Sequence, residues 1–368
     1  MEQASPLSTD QFASLLKRLP QDVDLDELAR QTKAIERGRK VISGITLLHM
    51  ALARGPGGLS LSETAAWAAM RGLPEMSDPG IKYRLDKSVG FLEAVMNHQL
   101  AAQSPGASVR WPGRILRVCD STCISQRGST GTDWRVHAVY DLGRGGFTHL
   151  ELTDGRGGEA IDRGAPVAAE VRIGDRNYAT APSLSRFCKK AANGADFIVR
   201  IRWQAFNLRR PDGRDFSLID HLTALPNDSA PHEVMVVANK ARAKAKNPLP
   251  LRLIIQRKTP EAAETARTKL HRRASKKQNR IDPRSLIAAE FLILVTSLPD
   301  TQYPAHEILA VYRLRWQIEL AFKRLKSLLH IDRLPTWTEQ ASRSWLYTHL
   351  IMALLCDDLS QDFLDTFP

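Results

Sequence analysis

Four side chains able to do chemistry are spaced along one apolar stretch near the end of the sequence. They are Tyr312, Arg315, Glu319 and Lys326, in the stretch VYRLRWQIELAFKRLK that begins at Val311. On a single α-helix, which turns by about 100° per residue, they fall within a wedge of roughly 60° that borders the apolar face. A carboxylate in line with a phenol and two cations indicates a site. The alternative is an amphipathic helix in which Glu319 only pairs with Arg315 at i,i+4 spacing.

Two aspartates end predicted β-strands. Asp120 ends the run RILRVCD, and Asp175 ends the run AAEVRIGD. In a mixed α/β sheet, acids at strand ends converge at one edge, where ligands bind. Hard divalent cations prefer carboxylate oxygens, and two such ions about 4 Å apart can activate a water and stabilise the leaving oxygen of a phosphodiester. We therefore expect Asp120, Asp175 and Glu319 to be both the catalytic residues and the metal ligands.

The other members of the wedge suit nucleic acid. Arg315 would hold a phosphate through its planar fork and Lys326 as a point charge. Tyr312 would stack on a base or bind a phosphate. Glu159 is the best of the turn acids as a helper, although acids at turns commonly serve local bonding. Trp203, at a strand end, either stacks on a flipped base or packs in the core.

The charge of the chain is concentrated in one segment. The 368 residues carry 52 Lys and Arg against 40 Asp and Glu, a net charge of +12 with a pI of about 9.7. From Asn239 to Arg284 there are 15 Lys and Arg against three acids, a surplus of 12. Clustered cations at high pI indicate a polyanion, usually nucleic acid, although a charge run can be merely a solvated face.

The sequence shows no signal peptide, and no apolar run is long enough to span a bilayer. The four cysteines form neither a CxxC pair nor a zinc pattern. These features predict a cytoplasmic protein without membrane association.

The periodicity predicts an α/β protein with an additional helical domain. Residues 1–102 are helical, with a helix, turn and helix that either read DNA or form a plain bundle. Residues 103–203 and 283–335 form a mixed sheet with helices. Between them lies a basic, β-rich insertion, 204–282, in which FSLIDHL, EVMVVANK and LRLIIQRK are candidate strands. Residues 336–368 form a C-terminal helical region.

These residues carry a resemblance to a known family. The spacing Y-xx-R-xxx-E-xxxxxx-K, filled by Tyr312, Arg315, Glu319 and Lys326, resembles the YREK signature of DDE transposases of the bacterial insertion-sequence-four family. VCDST, around Asp120, resembles the segment that holds the first aspartate of that family, and GDRNY (Gly174–Tyr178) resembles the segment that holds the second. The resemblance covers about 114–334 and implies an RNase H-like core with a β-rich insertion before the glutamate.

The resemblance also implies a mechanism. Mg²⁺, two ions for which Mn²⁺ can substitute, would be held by Asp120, Asp175 and Glu319, while Tyr312, Arg315 and Lys326 would contact DNA. The enzyme would nick the terminal inverted repeats and join the freed 3′-hydroxyl to target DNA, as a homodimer in a synaptic complex at the bacterial nucleoid. The alternatives are a sequence-specific DNA-binding repressor and a metal-dependent nuclease without strand transfer.

Overall fold

The computed structural model describes residues 15–37, 43–73, 75–104, 106, 110–190, 194–239 and 249–366. The start of the predicted N-terminal helix, at Phe12, and the part 240–248 of the basic segment lie outside the described residues. The chain divides into two compact units. The first comprises Met1–Gly106, Ser121–Gly157 and Glu319–Pro368, and the second comprises Ala107–Asp120 and Gly158–Ile318. The domain boundaries given above stay a prediction.

The first unit contains a bundle of helices. Its helices are α1 (Leu25–Gln31), α2 (Gly44–Arg54), α3 (Leu61–Met70), α4 (Asp78–Lys87), α5 (Val89–Ala101) and the long α12 (Glu339–Thr366). Helix α12 packs against α2, α4 and α5. Helix α3 begins with a capping box in which Ser60 and Glu63 satisfy each other's backbone N–H groups. Ser60 is therefore the N-cap of α3.

A β-hairpin completes the first unit. Strand β2 (Trp134–Asp141) pairs antiparallel with β3 (Gly146–Asp154), as the alternating pattern predicts. Gly145, with φ 77°, takes the left-handed conformation that the turn requires, and its N–H donates to the carbonyl oxygen of Asp141. The last four residues of β1 (Ile115–Ile124) also belong to this unit and neighbour β2.

The second unit contains a mixed sheet. Its strands are ordered β1, β4 (Glu170–Gly174), β5 (Asp196–Arg200), β9 (Phe291–Thr296), β8 (Leu249–Arg257), β7 (His232–Asn239) and β6 (Asn207–Arg209). Strands β1, β4 and β5 run parallel, and the remaining neighbours pair antiparallel. This arrangement confirms the predicted mixed α/β fold class. The strands of the predicted insertion, β6 to β8, extend the same sheet through β9.

Helices α6 to α10 lie in the second unit. They are α6 (Ala181–Lys190), α7 (Leu218–Ala224), α8 (Pro260–Lys277), α9 (Pro283–Ala289) and α10 (Ala305–Tyr312). Helix α6 connects the parallel strands β4 and β5, as a parallel pair requires. The prediction of a strand at FSLIDHL is wrong, because this segment is α7. The Ser217 side chain caps α7 by accepting from the Asp220 N–H, and Leu218 and Leu222 are buried at i,i+4 spacing.

One face of the parallel strands is held by a buried network of charges. Glu170, fully buried, accepts from Arg172 Nε at 2.5 Å and pairs with Arg117 Nη1 at 3.3 Å. Arg172 also donates to three carbonyl oxygens of the chain before β4 and lies over the ring of Phe187 from α6. Because side chains alternate along a strand, this network lies on the face opposite to Asp120 and Asp175.

In the part of the chain that the structure describes, no helix is both long and apolar enough to cross a membrane.

Candidate active site

The register of two parallel strands brings the two predicted aspartates level. Val118 of β1 lies opposite Ile173 of β4. Two residues further along each strand, the register places Asp120 beside Asp175, which directly follows β4. Neighbouring strands lie about 4.8 Å apart, so the two carboxyl groups lie side by side on one face of the sheet. Asp175 follows the end of β4 as predicted, but the prediction that Asp120 ends its strand is wrong, because β1 continues to Ile124. The predicted convergence of Asp120 and Asp175 is thus present within the second unit.

The turn after β4 and the close packing around Gly174 hold Asp175 in place. The Asp175 Oδ1 atom accepts from the Asn177 N–H at 2.7 Å, which holds the turn after β4. A side chain at Gly174 would fit tightly, because an added Cβ would lie 3.0 Å from Tyr178 Cβ and 3.3 Å from Cys119 Sγ, and these neighbours would have to shift. Burial, followed by the charges of several acids that include Asp120 and Asp175, raises the pKa of Tyr178 well above its usual value.

Two members of the predicted wedge lie beside this pair. Arg315 Nη1 lies 3.8 Å from Asp120 Oδ2, and both side chains are mostly buried. Arg315 also hydrogen-bonds the Tyr312 hydroxyl. Burial raises the pKa of Tyr312 to about 12, the positive charges of Arg315 and Arg200 oppose this increase, and the negative charge of Asp175 adds to it. Tyr312 is therefore a neutral phenol at physiological pH, able to donate a hydrogen bond and unable to act as a base.

The prediction of one continuous helix through this stretch is wrong. Helix α10 ends at Tyr312, residues Arg313–Arg315 form a 3₁₀ turn, and α11 (Trp316–Leu328) follows. A 3₁₀ turn winds three residues per turn, against 3.6 in an α-helix, so it shifts the side chains after it by roughly 60° relative to the continuous wheel. The wedge calculated for one ideal helix therefore does not describe this segment.

The other two members of the wedge lie on α11, in the part that belongs to the first unit. Glu319 lies in the first turn of α11 and is exposed. Lys326 is half-buried near the end of the same helix. Ile318 and Phe322 of this helix are buried, as the apolar period predicts. The roles of all six predicted site residues stay predictions.

Sequence reasoning missed Arg200. The register of β4 and β5 pairs Gly174 with Val199, and one residue further it places Arg200 level with Asp175. Arg200 is close enough to Tyr312 to oppose the increase of its pKa. Burial, and then the charge of Arg200, lower the pKa of Lys258 to about 8. The sequence does show an arginine near the end of the predicted strand DFIVRIRW. Only the pairing of β5 with β4, however, shows that this arginine lies beside Asp175.

The two secondary candidates have defined surroundings. Trp203 is half-buried, its indole N–H donates to Ser285 Oγ at 3.1 Å, and the Arg284 guanidinium lies 4.5 Å from its ring centre. These contacts tie Trp203 to α9 and favour the structural interpretation over base stacking. Glu159 is near enough to Tyr178 to add to the increase of its pKa, and near enough to Arg202 to oppose in part the decrease of the pKa of that residue.

The donor chemistry of the aspartate pair suits a hard cation. Two carboxylates on adjacent rigid strands offer the oxygen ligands that Mg²⁺ prefers. Within the described residues, no group of three or more His, Cys, Asp or Glu side chains is close enough to hold a metal ion by itself. The pair therefore fits as part of a metal site that needs a further ligand.

Comparison with known proteins identifies the class. Residues 111–355 match the family described as "Transposase DDE domain". The transposase for insertion sequence element IS421 of Escherichia coli is 36% identical over 362 residues, which cover 98% of this chain and 96% of that protein. The transposase for insertion sequence element IS231F of Bacillus thuringiensis subsp. israelensis is 24% identical over 94% of this chain and 79% of its own length.

A solved structure also aligns with the chain. It is the cryo-EM structure of the piggyBac transposase synaptic complex with hairpin DNA, with 9% identity and a TM-score of 0.49, covering 96% of this chain and 76% of that one.

The chain belongs to the DDE transposase family. It is an enzyme of DNA transposition, which cleaves DNA and transfers DNA strands for an insertion sequence. The family, the enzyme class and DNA as the partner, all predicted from the sequence, are confirmed. Enzymes of this family use divalent metal ions.

Proposed function

We propose that Asp120, Asp175 and Glu319 together hold two Mg²⁺ ions, with Mn²⁺ as a substitute, at the centre where DNA is cut and joined. The observation that supports this most is the level position of Asp120 and Asp175 on adjacent parallel strands. A pair of carboxylates is too few for a two-metal cage, and Glu319 is the acid that the signature of the family supplies. Bound metal ions would activate the attacking oxygen and stabilise the leaving oxygen of the phosphodiester.

The neighbouring residues would position the DNA end. Arg315, beside Asp120, would use its fork to hold a phosphate, and on binding DNA it would exchange part of its interaction with the carboxylate for one with the phosphodiester. Tyr312, which stays a neutral phenol, would donate a hydrogen bond to a phosphate oxygen. Lys326 would add a point charge further along α11.

The proposed reaction is cut-and-paste transposition. The enzyme would nick the terminal inverted repeats, and the freed 3′-hydroxyl would attack the other strand and then target DNA. We also propose that two copies of the chain form a homodimer that holds two element ends in a synaptic complex. The substrate is chromosomal DNA, so the proposed place of action is the bacterial cytoplasm at the nucleoid.

The test is an assay of purified protein on labelled element ends with Mg²⁺. Asp120→Asn, Asp175→Asn and Glu319→Gln should each abolish nicking and joining while DNA binding stays largely intact. Asp212→Asn is the matched control, since Asp212 is an exposed acid paired with Arg214, and it should behave as wild type. Nicking without joining would favour a nuclease, and binding without any cleavage by the wild-type protein would favour a repressor.

A second arm tests the positioning residues. Arg315→Gln and Lys326→Gln should reduce end cleavage by orders of magnitude at saturating DNA and weaken binding only modestly, because many other cations remain. Large destabilisation with full activity per folded molecule would show that these residues are part of the scaffold instead.

A further inference from the structure

Three arginines from separate parts of the second unit lie together near Asp175. Arg176 follows Asp175 in the turn after β4, Arg202 lies two residues beyond β5, and Arg273 projects from α8. All three are exposed. Arg176, Arg202 and Arg273 together form an arginine cluster.

The position of the cluster follows from the sheet and one hydrogen bond. Asn177 lies in the turn that follows β4, and Arg202 lies just beyond the end of the neighbouring strand β5. Arg202 Nη2 donates to Asn177 Oδ1 at 2.6 Å, which fixes the guanidinium two residues from Asp175. The charges of Arg176, Arg273 and Asp175 act on Arg202, so the Arg273 side chain of α8 lies near enough to Arg202 to interact with it electrostatically.

The charges of the cluster repel one another. Burial, and then the guanidinium groups of Arg176 and Arg273, lower the pKa of Arg202, while Asp175 and Glu159 only partly oppose this. Holding like charges close at an exposed surface is unfavourable for the unbound protein, and an anion between them would reverse the sign of that interaction.

We propose that the arginine cluster binds one backbone phosphate of the DNA strand that enters the site beside Asp175. The proposal rests on the proposed function, in which Asp175 is at the point of cleavage. Guanidinium forks from three elements match the several oxygens of a phosphodiester, and they read no base. A phosphate fixed here would hold the neighbouring phosphodiester at the aspartate pair, so the arginines act as positioning residues.

The proposal gives Arg273 a different role from the other cations of α8. Arg272, its neighbour, has the same charge and is exposed, but it points about 100° away around the helix and is not among the charges that act most strongly on Arg202. Arg272→Gln is therefore the matched control for Arg273→Gln. Both remove one positive charge from the same turn of the same helix.

The experiment measures binding of the full chain to a short DNA duplex over a range of salt concentrations, without divalent metal. If two cations share one phosphate, the effects of removing them on the binding free energy should not be additive. Arg202→Gln and Arg273→Gln should each weaken binding, and the double variant should lower the slope of log K against log salt by about 0.9, the value of one phosphate. The effects of Arg202→Gln and Arg272→Gln should simply add, because these residues share no partner.

Two further readouts separate positioning from a structural role. The Arg273→Gln protein should melt no lower than wild type, since it loses a repulsion, and Arg202→Lys should recover most of the salt slope but not the cleavage rate at saturating DNA. An unchanged slope in the Arg202 and Arg273 double variant, or strictly additive effects of the two changes, would overturn the proposal. So would a lowered melting temperature with unchanged binding.

Failure of this proposal and failure of the proposed function are distinguishable. If wild type cuts and joins element ends but the double variant keeps its slope, the arginine cluster alone is misassigned. If wild type binds DNA but never cuts it, the proposed function fails, while the salt slopes still decide whether the cluster binds a phosphate.

Discussion

Replacing Glu170 by Gln should destabilise the protein without changing its chemistry. Glu170 is completely buried, and its two oxygens contact Arg172, Arg117 and the Val167 N–H. The substitution removes the negative charge and points an amide N–H₂ group towards guanidinium donors. Breaking a buried ion pair by changing one partner typically costs about 3–5 kcal/mol, because the remaining charge stays buried.

The structure places the expected cost near the lower end of that range. Arg172 keeps its hydrogen bonds to the carbonyl oxygens of Ile161, Arg163 and Gly164, so its charge remains partly solvated by the backbone. We expect the free energy of unfolding to fall by roughly 3 kcal/mol. Denaturant unfolding measures this change, with Asp212→Asn as a control that removes an acid from an exposed pair and should have little effect.

The same variant should keep its cleavage rate per folded molecule, because Glu170 lies on the face of β4 opposite to Asp175. A loss of stability below about 1 kcal/mol would refute the reasoning, since it would mean that the network behaves as a surface pair. Loss of cleavage in a stable Glu170→Gln protein would also contradict it.

Two further predictions concern pH. Burial raises the pKa of Asp357 from 3.8 to about 6, and a hydrogen bond from the Phe147 N–H only partly opposes this increase. The free energy of unfolding should therefore fall as pH rises from about 4 to 6. Asp357→Asn should remove this loss and be more stable than wild type at pH 7 by roughly 3 kcal/mol, which thermal melts across that range would show. Burial raises the pKa of Tyr312 from 10.0 to about 12, so the contribution of this phenol to stability is present below pH 10 and is lost between pH 10 and 12. Tyr312→Phe should therefore lose less stability than wild type over that interval. Equal losses in unfolding experiments would contradict the raised pKa of Tyr312.

Much of the core was predictable because its signals are local. The β2–β3 hairpin has alternating residues and a glycine-rich turn, and α6 and α8 have clear helical patterns. The two aspartates were predicted to converge because each was taken to end a strand; Asp175 does follow β4, whereas Asp120 lies inside β1. Their pairing, level with each other, depends on the register of β1 and β4, and that register brings together residues about 55 positions apart in the chain. No local pattern specifies it.

The errors have local physical causes. FSLIDHL has enough β-branched and aromatic residues to resemble a strand, but the Ser217 cap and the Leu218–Leu222 spacing stabilise a helix. The stretch from Val311 to Lys326 has an unbroken helical period, which hides the 3₁₀ turn at Arg313–Arg315. The arginine cluster was not predictable from a local pattern, because its members are 26 to 97 residues apart and come from two loops and a helix.

The central claim is that Asp120, Asp175 and Glu319 hold the catalytic metal ions. The most direct measurement is a crystal structure of the protein bound to an element end and Mn²⁺, with anomalous scattering used to locate the ions. We expect manganese peaks ligated by oxygens of Asp120 and Asp175, with Glu319 as the further protein ligand. Ions bound elsewhere, or at the aspartate pair with Glu319 remote from them, would contradict it.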